Sequence, residues 1–176
     1  MLAHFRAICE ATGQKVIIYN VVPWSYLAPD LLLRIMREVP GVIGVKQSAG
    51  DLKLVADLLL GARPEDRIFS AVDALLYPSF ALGAHGTIAA LPTAAPGPCV
   101  ELWDAVQQGD HRRAQDLHRR LLRLWNALVG DNLPACVKHA QTVQGCAAGL
   151  PRAPMPPASP DRRRAIDAAL EGLERA

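Results

Sequence analysis

The stretch VIGVKQSAG, residues 42–50, decides how this 176-residue chain is read. A short apolar run ends on Lys46, and small and polar residues follow. Such a run without polar alternation is the pattern of a strand buried on both faces of a parallel sheet. The lysine has two readings. Either the strand has reached water there, or the lysine is an amine nucleophile at the mouth of an α/β scaffold, where that architecture gathers its sites.

Strands of the same kind stand on both sides. KVIIYN (15–20) precedes it; DRIFSAVD (66–73) and HGTIAAL (85–91) follow. Helical spacing fills the gaps, in LAHFRAICEA (2–11) closed by Gly13, PDLLLRIMREV (29–39), DLKLVADLLLG (51–61) and DALLYPSFALG (73–83). The first part therefore reads as a helix and then about four parallel strand–helix units with right-handed crossovers. No Asn-Gly turn joins neighbouring strands as in a hairpin. Two architectures fit: a piece of a (β/α)8 barrel, with strands in sequential order, or an open three-layer sheet with a reversal of order.

After residue 96 only helices are expected, over 97–109, 110–130 and 133–147. The second of these sets Leu117, Leu121, Leu124 and Leu128 along one face, suited to packing on helix 133–147 or in a subunit interface. The segment PRAPMPPASP (151–160) holds five prolines in ten residues and reads as an extended tether. Ser159 or Asp161 could start the last helix. The division is thus 1–96 for the strand–helix part and 97–176 for the last barrel helix and a helical region with the 151–160 tether.

Composition excludes several classes. Hydrophobic residues make up 51% and the formal net charge is +2, which supplies no field for nucleic acid or an anionic membrane. The clusters HRRAQDLHRR and PDRRR lie in helical patterns and read as solvated faces. No stretch qualifies as a membrane span, and the charged N-terminus does not read as a signal peptide. Four cysteines, at 9, 99, 136 and 146, form no CxxC and have no histidine at metal-site spacing. Reduced, mostly buried thiols in the cytoplasm are the expectation, with no metal and no cofactor.

Tyr19 and Lys46 end consecutive strands on one rim. An unprotonated lysine amine attacks a 2-oxo acid to form a Schiff base, whose iminium stabilises the carbanion left by proton loss or carbon–carbon cleavage. Val45 and Ile43 are expected to give the amine apolar surroundings, and the Tyr19 hydroxyl to relay protons. A solvated lysine and a core tyrosine remain the plain readings. His85 could titrate at the mouth or be structural, and Asp73 could line the mouth or cap the following helix.

The runs YNVVP, GVIGVKQSAGD, IFSAVDALLYPSFALGAHGTIAALP and GLPRAPMPPAS together resemble the dihydrodipicolinate synthase/N-acetylneuraminate lyase family, in its C-terminal part only. The resemblance implies the second half of a (β/α)8 barrel followed by a helical region, and a Schiff-base lyase, aldolase, synthase or dehydratase acting on pyruvate or a related 2-oxo acid. It places the Schiff-base lysine at Lys46, the catalytic tyrosine at Tyr19 and substrate contacts at Gly86, Thr87 and Ile88. Where the synthase carries a substrate-binding arginine, this loop is VVPWSYLAP, with none. Half a barrel is expected to leave Val16, Ile18, Val42 and Ile88 uncovered. It then requires a longer chain, a homo-oligomer or a complementary N-terminal half; an inactive scaffold or interaction module is the alternative.

Overall fold

The computed structural model describes residues 1–48, 51–130 and 132–174. Ala49 and Gly50, part of the turn expected after Lys46, lie outside them. The chain forms two compact units, Met1–Val72 with Pro78–Ile88, and Asp73–Tyr77 with the chain from Ala89 onward.

The first unit opens with α1 (Leu2–Thr12), closed by Gly13 in the left-handed conformation at φ 63. Strands β1 (Val16–Asn20), β2 (Val42–Gln47) and β3 (Arg67–Ser70) pair in parallel in the order β1-β2-β3. The crossovers are α2 (Pro29–Glu38) and α3 (Leu52–Gly61). Pro29 starts α2 where its missing N–H costs nothing, and the Asp51 side chain caps α3 by accepting from Lys53 N at 2.8 Å. The result is an incomplete, unclosed three-stranded parallel sheet alternating with helices.

The fourth expected strand, 85–91, shrinks to a single parallel bridge between Ser70 and Thr87. Ser70 N donates to Gly86 O at 3.1 Å and Ile88 N to Ser70 O at 3.0 Å, as a parallel ladder requires. One step earlier only half of the ladder remains, with His85 N donating to Ile68 O at 2.8 Å. Ile68 N donates to His85 Nδ1 at 3.2 Å, so the imidazole stands where a strand carbonyl belongs. Gly86 at φ 150 turns the backbone out of line. His85 is thus a structural residue that ends a strand.

Register assigns the two sheet faces. Ile18, Val45 and Ile68 lie level across the three strands and are buried. They pack with Leu32, Ile35 and Met36 of α2 and with Val55 and Leu58 of α3. Burial of each such side chain is worth roughly 1.5–3 kcal/mol. The opposite face carries Ile17 and Tyr19, which are 36% and 55% exposed. The double burial read from the apolar runs therefore holds for one face only. Of the residues expected to be uncovered, Ile88 is exposed, but Ile18 and Val42 are core and Val16 is half-buried against it; Ile17 and Tyr19 take the open positions. A register shift between Val16 and Ile17, where β1 advances one residue and β2 two, lets Val42 and Val45 share the buried side although an odd number apart.

The turn into β3 is tied by Arg63 and Asp66. The Asp66 carboxylate accepts from Arg63 N at 2.8 Å and from its Nη2 at 2.8 Å, while Nη2 also donates to Met36 O at 3.1 Å. Burial pushes the Asp66 carboxyl up, but the Arg63 hydrogen bonds and charge outweigh it and hold it below the ordinary carboxylate value. A depressed folded-state value means stability that is present at neutral pH and lost as pH falls below about 4. Urea midpoints measured down that range should fall in the wild type, and less steeply in Asp66→Asn; equal slopes would refute the assignment.

Within the sequence 73–83, a 3-10 turn at Asp73–Leu75 precedes α4 (Leu76–Ala81), so Pro78 sits in the first helical turn, where it is tolerated. In the second unit come α5 (Leu91–Ala94), α6 (Pro96–Gln107), α7 (His111–Leu128), α8 (Leu133–Val143) and α9 (Pro160–Glu174). Asp73 reaches across to the start of α5, where its Oδ1 accepts from Leu91 N at 2.5 Å. The leucine face of α7 is buried, and it packs chiefly on α6 and α9 rather than on α8. Ser159 caps α9 by accepting from Arg162 N at 3.3 Å. Residues 151–159 form neither helix nor strand. All the cysteines are free, but only Cys99 and Cys136 are buried; Cys146 is exposed. Burial first, then the Asp73 charge, pushes the Cys99 thiol up to about 12. Among the described residues, no helix is long and apolar enough to cross a membrane.

Candidate active site

Parallel pairing delivers Tyr19 and Lys46 to the same level of the open face, where they are register partners. Lys46 Nζ lies 3.6 Å from the centroid of the Tyr19 ring, a cation–π contact. The tyrosine therefore meets the amine with its ring face. Phe69 of β3 is the next residue in the same row. Val45 and its buried neighbours line the other side of the sheet, because successive strand residues face opposite ways. The apolar flank expected from sequence adjacency is replaced by the rings of the open face.

Gly86, Thr87 and Ile88 lie along the far side of β3, held to Ser70; the Thr87 hydroxyl also donates to Ser70 O at 3.0 Å. A Cβ at Gly86 would touch the Phe69 ring at 3.5 Å. These residues flank β3, whereas Lys46 is on β2 and Tyr19 on β1.

Sequence reasoning missed the row directly behind the pair. Asn20, Gln47 and Ser70 are level across the strands and buried, pointing away from the open face. Asn20 Nδ2 donates to Gln47 Oε1 at 2.9 Å and to Leu27 O at 3.1 Å, while Asn20 Oδ1 accepts from Leu27 N at 2.9 Å. One side chain thus closes the loop 21–26 that follows β1. Trp24 on that loop is 89% exposed. Ser79 Oγ donates to Ser70 Oγ at 2.9 Å. Gln47 Nε2 is buried without a hydrogen-bond partner among the described residues, a state that costs about 1–3 kcal/mol. The signal was available: an amide where a buried strand should carry an aliphatic residue, repeated at both strand ends. No cluster of three or more His, Cys, Asp or Glu able to hold a metal exists among the described residues.

Parallel strands in sequential order, alternating with helices and followed by a helical stretch, define an α/β protein of the partial-barrel kind. The chain belongs to the dihydrodipicolinate synthetase family, whose profile matches residues 1–173. The expectation of a likeness limited to a C-terminal part is thereby corrected: the match runs through nearly the whole chain. The 4-hydroxy-tetrahydrodipicolinate synthase of Listeria innocua is 30% identical over 99% of this chain and 60% of its own length. That of Symbiobacterium thermophilum is 36% identical over 93% of this chain and 56% of its own length. The crystal structure of a dihydrodipicolinate synthase from Bacillus anthracis superposes with a TM-score of 0.89 at 26% identity, covering 99% of this chain and 60% of that one. The chain spans about 60% of the length of such relatives.

Proposed function

We propose that this chain carries the Schiff-base lysine of a lyase or aldolase acting on pyruvate or a related 2-oxo acid. The observation that carries the reading is the contact of Lys46 Nζ with the Tyr19 ring, 3.6 Å apart at neighbouring strand ends, in a member of this family. In this reading Lys46 first gives up its proton and leaves the Tyr19 ring face, and the free amine adds to the C2 carbonyl of the oxo acid, giving a carbinolamine. Tyr19 passes a proton to its oxygen, which leaves as water, and the iminium remains. Loss of a C3 proton then gives an enamine that attacks an electrophile; the reverse course cleaves a carbon–carbon bond. Gly86, Thr87 and Ile88 are assigned to substrate contact, through backbone groups beyond Phe69. The strand–helix part, 1–96, is the second half of a barrel in this reading, and 97–176 its last helix and helical region. The open face with Ile17 and Tyr19 is covered in the active assembly by a second copy or a complementary segment. The free thiols suit a cytoplasmic setting.

Borohydride reduction in the presence of pyruvate tests the reading. The chain should gain the mass of one reduced pyruvyl group, and peptide mapping should place it on Lys46. An unmodified Lys46, with the chain folded by circular dichroism, would leave the exposed Tyr19 face as a surface for protein contact, the scaffold alternative.

A further inference from the structure

We propose that Gln47 and Asn20 are positioning residues for the Lys46 amine: their buried amide bond holds β1 and β2 in the register that sets the Tyr19 ring against Lys46. The inference rests on the reading of Lys46 as the reactive amine and goes beyond it by naming what places that amine.

The argument is one of register. Burial of Ile18 and Val45 on one face forbids a slip of one residue, because every side chain would change sides. It does not forbid a slip of two, which preserves the faces. The open face adds little, since Ile17 and Tyr19 are exposed there in any case. A slip of two would set Asn20 level with Val45, or Ile18 level with Gln47. Either arrangement strands a buried amide beside an aliphatic side chain. Only the observed register gives Asn20 Nδ2 its 2.9 Å bond to Gln47 Oε1. That register also makes Tyr19 and Lys46 partners, one residue away on each strand. The amide orientations are fixed as well: Asn20 must turn Oδ1 to Leu27 N and Nδ2 to Leu27 O, which leaves Nδ2 able to reach Gln47.

Gln47→Met isolates the bond. It keeps the length of the side chain, removes the acceptor and leaves both Asn20–Leu27 bonds in place. The readout is the rate at which trinitrobenzenesulfonate modifies Lys46, followed by peptide mass mapping on the full chain without any oxo acid. The Tyr19 ring shields the amine in the wild type, so Gln47→Met should raise the Lys46 rate at least threefold. Gln47→Glu, which can still accept from Asn20, should restore it. In a Tyr19→Leu background, Gln47→Met should have no further effect, because the ring it positions is gone. A rate unchanged by Gln47→Met, or raised by the same factor with and without the ring, overturns the proposal. Should Gln47→Met not fold, Gln47→Leu carries the same cycle, since it also removes the acceptor and leaves both Asn20–Leu27 bonds in place. A chain that labels as expected but forms no pyruvate adduct overturns the catalytic reading and leaves the positioning role standing; the opposite pair of results does the reverse.

Discussion

Replacing Lys46 by methionine should abolish the borohydride-stable pyruvate adduct while leaving the fold intact. Methionine keeps an unbranched stem against the Tyr19 ring and removes the amine, so the loss is chemical. Lys46 stands on the open face and has no carboxylate partner among the described residues, so no ion pair is broken. The other lysines offer no substitute. Lys53 is paired with Asp57 at 2.6 Å and Lys138 Nζ donates to Ala148 O at 2.6 Å. Lys15 lies ahead of β1, at the opposite end of the sheet from the Tyr19 rim. The expected result is background labelling at Lys46→Met, with the unfolding midpoint within the small range of a surface change, about 0.5 kcal/mol. An adduct of wild-type yield in this variant would remove Lys46 from the mechanism.

The largest structural effect is expected at Gly44. It is the register partner of Arg67, and a Cβ there would collide with the Arg67 carbonyl oxygen and carbon. The obstacle is backbone, so no side-chain rotation relieves it. β2 and β3 would have to separate at the middle of the sheet, weakening the ladder that carries Lys46 and Phe69. Overpacking alone costs about 1–3 kcal/mol, and with ladder loss Gly44→Ala should cost about 3 kcal/mol or more. Gly97→Ala is the control: it lies in α6 with open space where a Cβ would go, and should be neutral or slightly stabilising. Urea unfolding of both variants is the measurement. An unchanged midpoint for Gly44→Ala would mean that the two strands are not packed this closely.

Much of the scaffold was legible because its signals are local. VIIYN, VIGVK and RIFS are too short and too branched to be helices, and their spacing demands crossovers. The leucine periodicity from Leu117 to Leu128 is readable for the same reason. What sequence could not show is which side of a strand meets a helix. Ile17 and Ile18 are chemically identical, and only the pairing register makes one core and the other surface. The strand at 85–91 failed for a reason no propensity carries: the His85 ring takes a ladder bond from Ile68 N. In the site, Tyr19 and Lys46 stood out as unusual strand ends, and the structure brings them together. Asn20 was noticed only as an unusual strand end and Gln47 was passed over, because a polar residue beside a strand end reads as the beginning of a loop. Their pairing joins residues 27 apart, and the Asn20 bonds depend on a loop that returns to Leu27.

The register rows give the strand ends a division of labour. Each strand finishes with an outward residue followed by an inward one: Tyr19 then Asn20, Lys46 then Gln47, Phe69 then Ser70. Adjacent letters of the sequence thus answer to different demands, the proposed reactivity on one side and cohesion on the other. Tyr19 and Phe69 can be randomised in a mutant library with little expected loss of folded clones, whereas the same diversity one codon later would fill it with unfolded chains. A search for altered reactivity in this protein should therefore vary alternate codons, not contiguous blocks.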